Sequence, residues 1–280
     1  MKLARHALVL VLLAGCSTTT PQATPSSPTD AGSDASPDVK ASYDASAPDV
    51  GADGWAPDAG FASLFDGTTF ANWDRYLGIP NGETTALGLE NDPRGVYSIV
   101  KLDGEPAIRI SGEVWGALIS KKELSNFELR LEYKWGTKVY PPLNYPDSGI
   151  MVLSTGPLGA VNAGGDPLSN PIGSGAFMVS IEYQLAPGNI GGLYNLGPID
   201  KVLGGRNNLA EKPEAWNRAA LVVHGSASEH YLDGQLVASA TGYKLRMPGQ
   251  PVVPLDRGKI QLQSEGGEIY FRRIELRSLE

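Results

Sequence analysis

Phe127-Glu128-Leu129-Arg130-Leu131-Glu132-Tyr133-Lys134-Trp135 alternates without a break between apolar and charged side chains. Successive side chains of a strand point to opposite faces, so a period of two predicts a β-strand with one apolar and one polar face. Phe177, Val179, Ile181, Tyr183 and Leu185 repeat the pattern, with Ser180, Glu182 and Gln184 between them. Ala219 to His224 is a more continuous apolar run, as a central strand would be. Tyr231-Leu232-Asp233-Gly234-Gln235-Leu236-Val237 reads as a hairpin, because Asp-Gly suits a tight turn with positive φ. Lys259 to Gln263 and Glu268 to Leu276 read as two further strands. Phe271 and Ile274 lie three apart, which breaks the alternation and predicts a β-bulge at Arg272-Arg273.

Helix signals are weak around these strands. The chain has 34 Gly and 21 Pro among 280 residues, and they interrupt most candidate helical runs. Many short strands with turn-rich joins predict an all-β domain, a two-sheet antiparallel sandwich or jelly roll, over residues 61–280. Two turn-rich segments, residues 140–147 and 156–175, are long for a compact domain, and such loops are usually functional or disordered.

Upstream of residue 61 the composition changes. Lys2 and Arg5, the apolar run from Ala7 to Leu13, and then Leu13-Ala14-Gly15-Cys16 read as a lipoprotein signal over residues 1–15, with Cys16 as the lipidated residue. Cys16 is also the only cysteine, so an exported domain has no disulfide and must rely on its core. Residues 16–60 are rich in Ser, Thr, Pro, Ala, Asp and Gly and read as a disordered tether. These features predict an exported protein anchored in the cell envelope by its acyl chains, with Ser17 pointing to the outer membrane or cell surface.

The net charge of −8 divides evenly, because residues 1–60 hold three cations against seven aspartates. The folded part is therefore only mildly acidic and offers no basic stripe to a nucleic acid.

Several catalytic signatures are missing: there is no G-x-S-x-G, no H-E-x-x-H and no cysteine cluster. His224, in an apolar run, reads as structural, and His230, before the hairpin turn, reads as exposed. The carboxylates on strand faces carry more. Glu132 with Arg130, and Glu182 with Gln184, occupy polar faces of alternating strands. If the two strands share a sheet, these side chains form a floor able to bind sugar hydroxyls and hold a general base. The competing reading is a solvated face with cross-strand ion pairs. Tyr194, Trp216 and Trp115 lie beside loops, where aromatic faces can stack on sugars; Trp135 continues an apolar face and reads as core.

The ordered motifs resemble those of the 3-keto-disaccharide hydrolase domain family. They are Phe61-Ala62-Ser63-Leu64-Phe65-Asp66-Gly67 with Trp73, Asn126 to Tyr133, Asp147-Ser148-Gly149-Ile150 and Glu182-Tyr183-Gln184-Leu185. Gly192-Leu193-Tyr194, Lys212-Pro213 with Trp216-Asn217, and Gly258 to Gln263 followed by Phe271-Arg272-Arg273-Ile274 complete the set. The resemblance covers residues 61–279 and implies a concanavalin-like jelly roll. It implies cleavage of 3-keto-glycosides by elimination of the aglycone and hydration of the product, with a divalent metal in some members and none demanded by the residues here. Carried over, Glu182 is the base or substrate clamp, and Gln184, Arg130, Asp147 and Arg272 bind substrate. The strand face adds Glu132 as a second catalytic carboxylate, and Ser148, Tyr194 and Trp216 complete the expected substrate-binding set. Asp147 and Arg273 stand where the family pattern usually has Asn. The alternatives are a non-catalytic carbohydrate-binding module and a structural or adhesion domain.

Overall fold

The computed structural model describes residues 60–161 and 175–280. The signal segment, Cys16 and the tether up to residue 59 lie outside these, as do residues 162–174 of the second long loop. Among the described residues there is no helix, and the strands are β1 (Ala62–Ser63), β2 (Trp73–Leu77), β3 (Gly88–Leu89), β4 (Tyr97–Leu102), β5 (Glu105–Ile110), β6 (Gly116–Ser120), β7 (Phe127–Val139), β8 (Gly149–Thr155), β9 (Val179–Gln184), β10 (Leu193–Leu196), β11 (Ile199–Arg206), β12 (Asn217–His224), β13 (Ala227–Leu232), β14 (Gln235–Leu245), β15 (Val253–Pro254), β16 (Lys259–Ser264) and β17 (Gly267–Ser278).

They form two antiparallel sheets. The first runs β11-β14-β13-β12-β7-β17-β5-β4, with β1 added to β17 and β15 to β14; the second runs β10-β9-β8-β16-β6-β2-β3. The apolar face of each alternating strand meets the other sheet. Leu129, Leu131 and Tyr133 of β7 and Ile181 and Tyr183 of β9 belong to one buried core. The Tyr183 hydroxyl crosses the layers and donates to the Tyr231 carbonyl at 3.2 Å. Burial of such side chains contributes about 1.5–3 kcal/mol each, which is how the fold holds without a disulfide.

Local chemistry accounts for the joins. Asp233 (φ 46°) and Gly234 (φ 79°) form the predicted turn between β13 and β14. The predicted bulge is present as well: the β17–β7 register shifts between Arg272 and Glu275, and Arg273 has φ 50°. His230 departs from expectation. It is fully buried, because it points inward from β13, with its ring 4.8 Å from that of Tyr183. Its Nε2 shares a 2.9 Å hydrogen bond with Ser228 Oγ. His224, at the end of β12, is exposed.

The expected sharing of one sheet by Glu132 and Glu182 fails. Glu132 is on β7 in the first sheet and Glu182 on β9 in the second. Since the odd-numbered side chains of both strands point into the common core, the even-numbered ones leave from opposite sides of the sandwich.

Candidate functional site

The outer face of the first sheet holds Glu132, Arg130, Arg272 and Trp216, and there the charges are paired. Glu132 accepts a hydrogen bond from Arg272 Nε at 2.7 Å and ion-pairs with Arg273 at 3.4 Å and Arg218 at 3.6 Å. Arg130 pairs with Glu275 at 2.7 Å and lies 3.8 Å over the Phe61 ring. The Arg272 guanidinium lies 4.0 Å over the Trp216 ring, and Trp216 Nε1 donates to Asp103 at 2.9 Å. Glu132 is thus spent on cross-strand ion pairs, the structural reading of this face. These four residues are separated from Glu182 by the thickness of the core.

The outer face of the second sheet is different. Every residue of β9 is buried, as are Gly149–Ser154 of β8 and Ile260–Ser264 of β16, so polar side chains on this face are shielded from water. The register sets them in rows. Glu182 stands opposite Met151, which stands opposite Gln261. Gln184 stands opposite Gly149, and Gln263 lies beside Gly149, whose absent Cβ would be 3.0 Å from Gln263 Oε1 and 2.5 Å from Glu182 Oε1. A glycine here leaves the space into which both side chains project. Tyr194 on β10 pairs with Glu182 and forms a half-exposed rim. Its hydroxyl accepts from Asn189 Nδ2 at 2.9 Å.

Asp147 ends the loop entering β8, and Gln184 Nε2 donates to its Oδ1 at 2.7 Å. Ser148, expected to bind substrate, is fully buried and donates instead to the Gln263 carbonyl at 2.9 Å, tying that loop to β16. Glu265 follows β16 and is 7% exposed. Neither Gln263 nor Glu265 is among the predicted site residues. The available signal was alternation again: Gln261, Gln263 and Glu265 share the polar face of a strand, as Glu182 and Gln184 do.

The electrostatics follow from burial. Glu182 is raised to about 8, first by desolvation and then by the Asp147 carboxylate, with the nearby Gln263 amide opposing. Desolvation raises Asp147 to about 6 against the pull of the Ser148 N–H and the Gln184 amide. Glu265 is raised well above its ordinary value by burial, then by Glu182 and Asp147. Glu182 Oε1 and both amide atoms of Gln263 are buried with no hydrogen-bond partner. Each such group costs about 1–3 kcal/mol when left without a partner, and their concentration beside three coupled carboxyls makes this face the candidate site. Among the described residues, no three His, Cys, Asp or Glu side chains close into a metal-ligand set.

Comparison with known proteins gives one family. A family model described as the 3-keto-alpha-glucoside-1,2-lyase-like domain matches residues 60–277. No curated protein matches the chain. Among solved structures, a Parabacteroides distasonis protein provisionally assigned as a glycosyl hydrolase aligns with TM-score 0.44 and 17% identity, covering 79% of this chain and 94% of its own. A second from the same organism, with the same provisional assignment, gives 0.42 and 21% over 66% and 90%. A carbohydrate binding module from Bacillus subtilis gives 0.37 and 11% over 65% and 92%.

Proposed function

We propose, from the premise that this chain belongs to the 3-keto-alpha-glucoside-1,2-lyase-like domain family, that it cleaves 3-keto-glycosides at the Glu182 face by eliminating the aglycone and then hydrating the product. The ketone at the third ring carbon acidifies the C2–H bond. Asp147, pushed by burial only to about 6, is the carboxylate ionised at neutral pH and takes that proton. The electron pair forms C1=C2 as the C1–O bond breaks. Glu182, still protonated at neutral pH, gives its proton to the departing oxygen. Water then adds, with hydroxyl to C1 and the Asp147 proton returned to C2, while Glu182 recovers a proton from the water. The net change is hydrolysis.

Gln263 supplies a buried amide N–H for the oxygen on which enolate charge develops. Gln184 orients Asp147, and Tyr194 offers a ring at the rim. The observation that carries the reading is the pair of buried carboxyls on one face, Asp147 held by the Gln184 amide at 2.7 Å and Glu182 raised by burial and by the Asp147 carboxylate. Aglycone release from a 3-keto-glycoside, wild type against Glu182→Gln, tests it. A loss of about a hundredfold or more supports the acid role, and equal rates overturn it.

The lipoprotein pattern ending at Cys16 supports a reaction at the cell envelope, with the domain held to an outer membrane or cell surface by its acyl chains. Incorporation of radiolabelled lipid, abolished by Cys16→Ser, tests the anchor.

A further inference from the structure

Trp135 packs from β7 against the core and reaches the loop that carries Asp147, and its two ends are held differently. One end is polar. The indole Nε1 donates to Glu211 Oε2 at 2.9 Å. The Tyr133 hydroxyl, two residues back on the same face of β7, donates to the same oxygen at 3.0 Å. The other end is a packed edge. A Cβ on Gly267 would lie 2.8 Å from the indole Cζ3, 2.8 Å from the Asp147 backbone N and 2.9 Å from Pro146 Cα. The glycine lets the ring edge and the Asp147 backbone close around one point, where a side chain would part them.

Glu211 is itself fixed in place. The N–H of the next residue, Lys212, donates to Asn217 Oδ1 at 2.7 Å. The Asn217 amide donates in return to the Lys212 and Ala215 carbonyls at 3.0 and 3.1 Å. Asn217 opens β12 and is fully buried, so the loop bearing Glu211 is tied to the first sheet. Glu211 is half-buried, and an ionised acceptor there makes hydrogen bonds about twice as strong as a neutral one. A line of contacts thus runs from Asn217 through Glu211 and the indole to the backbone of Asp147.

Building on the proposed reaction, we infer that Glu211 is a positioning residue for its base: through the Trp135 indole it fixes the backbone from which the Asp147 carboxyl is presented to the substrate.

The test compares Glu211→Leu, which removes both acceptor oxygens, with Glu211→Gln, which removes the charge and keeps an acceptor. Burial is what raises the Asp147 carboxyl, so a loosened loop that admits water returns it toward its ordinary range. Glu182 and Glu265 face it from β9 and from the end of β16, and both variants leave them unchanged. On a 3-keto-glycoside, Glu211→Leu lowers kcat about tenfold, leaves KM within about twofold and moves the acid limb of kcat/KM to lower pH. Glu211→Gln keeps all three at the wild-type values. A change shared by both variants is an effect of charge, and a fall in Tm with the limb unmoved is a purely structural role; either result overturns the proposal. Should Glu211→Leu fail to fold, Trp135→Phe, which deletes the indole N–H and the Cζ3 edge, takes its place with the same expectation. If wild type turns over no keto-glycoside, the catalytic reading fails separately. NMR titration of the Asp147 carboxyl carbon then decides the positioning: a lower midpoint in Glu211→Leu and not in Glu211→Gln supports it, and any other pattern overturns it.

Discussion

Gly149 and Glu182 compete for one space: a Cβ on Gly149 would lie 2.5 Å from Glu182 Oε1 and 3.0 Å from its Cγ. Gly149 is not among the glycines with positive φ, so an alanine there strains no backbone and must be accommodated by moving the carboxyl. A misplacement of about 1 Å costs on the order of a hundredfold in rate. Gly149→Ala should therefore lose about that factor in kcat/KM for aglycone release, with an unchanged circular dichroism spectrum. Full activity in this variant would mean that the carboxyl position does not matter.

The rate should also depend on pH in a defined way. The base must be ionised and the acid protonated. With Asp147 at about 6 and Glu182 at about 8, kcat/KM rises as pH climbs through about 6 and falls as it passes about 8. The two carboxyls interact, so the limbs belong to the pair. Asp147→Asn should remove most of the activity and flatten the acid limb of what remains. A profile flat from pH 5 to 9 would remove both groups from the mechanism.

The same shifts make stability depend on pH. Glu182 is raised from 4.5 to about 8 on folding, so the native state holds a proton that the unfolded chain has released. That contribution is fully present below about 4.5 and is lost as pH rises toward 8. His230 works in reverse: burial lowers it from 6.5 to about 3, so its contribution is present above 6.5 and lost as pH falls through that interval. The two slopes oppose each other below 6.5, and above it the carboxyl slope stands without opposition from His230. Tm should fall by about 5 °C or more between pH 6.5 and 8.5, at about 2–4 °C per kcal/mol for a domain this size. Glu182→Gln, neutral at every pH, should fall less than half as far in differential scanning calorimetry.

Much of the fold was legible because strand alternation, the Asp233-Gly234 turn and the bulge at Arg273 are local signals. Sheet membership was not. Glu132 and Glu182 sit in identical alternating patterns, and only long-range pairing decides that β7 joins β12 and β17 while β9 joins β8 and β10. Nor did alternation distinguish a charged face filled with ion pairs from one whose carboxyls are buried without them. Glu132 is 3% exposed and Glu182 4% exposed, yet arginines surround the first, whereas among the described residues no ion pair reaches the second. His230 misled because a residue beside a hairpin can still point into the core.

That contrast gives the sharpest prediction. Glu132 holds Arg272, itself 8% exposed, together with Arg273 and Arg218. Breaking a buried pair costs about 3–5 kcal/mol. The lower end applies here, since Glu105 also pairs with Arg272 and Arg273. Glu132→Gln should therefore lower Tm by about 5–10 °C while kcat for folded enzyme at 25 °C stays within about twofold. Glu182→Gln should do the opposite: it abolishes turnover and raises Tm at pH 8.5, because it removes a carboxylate that folding desolvates without a cationic partner. The two variants, measured side by side by calorimetry and aglycone release, assign each face its work. Loss of turnover at constant Tm in Glu132→Gln would move the chemistry to the other side of the sandwich.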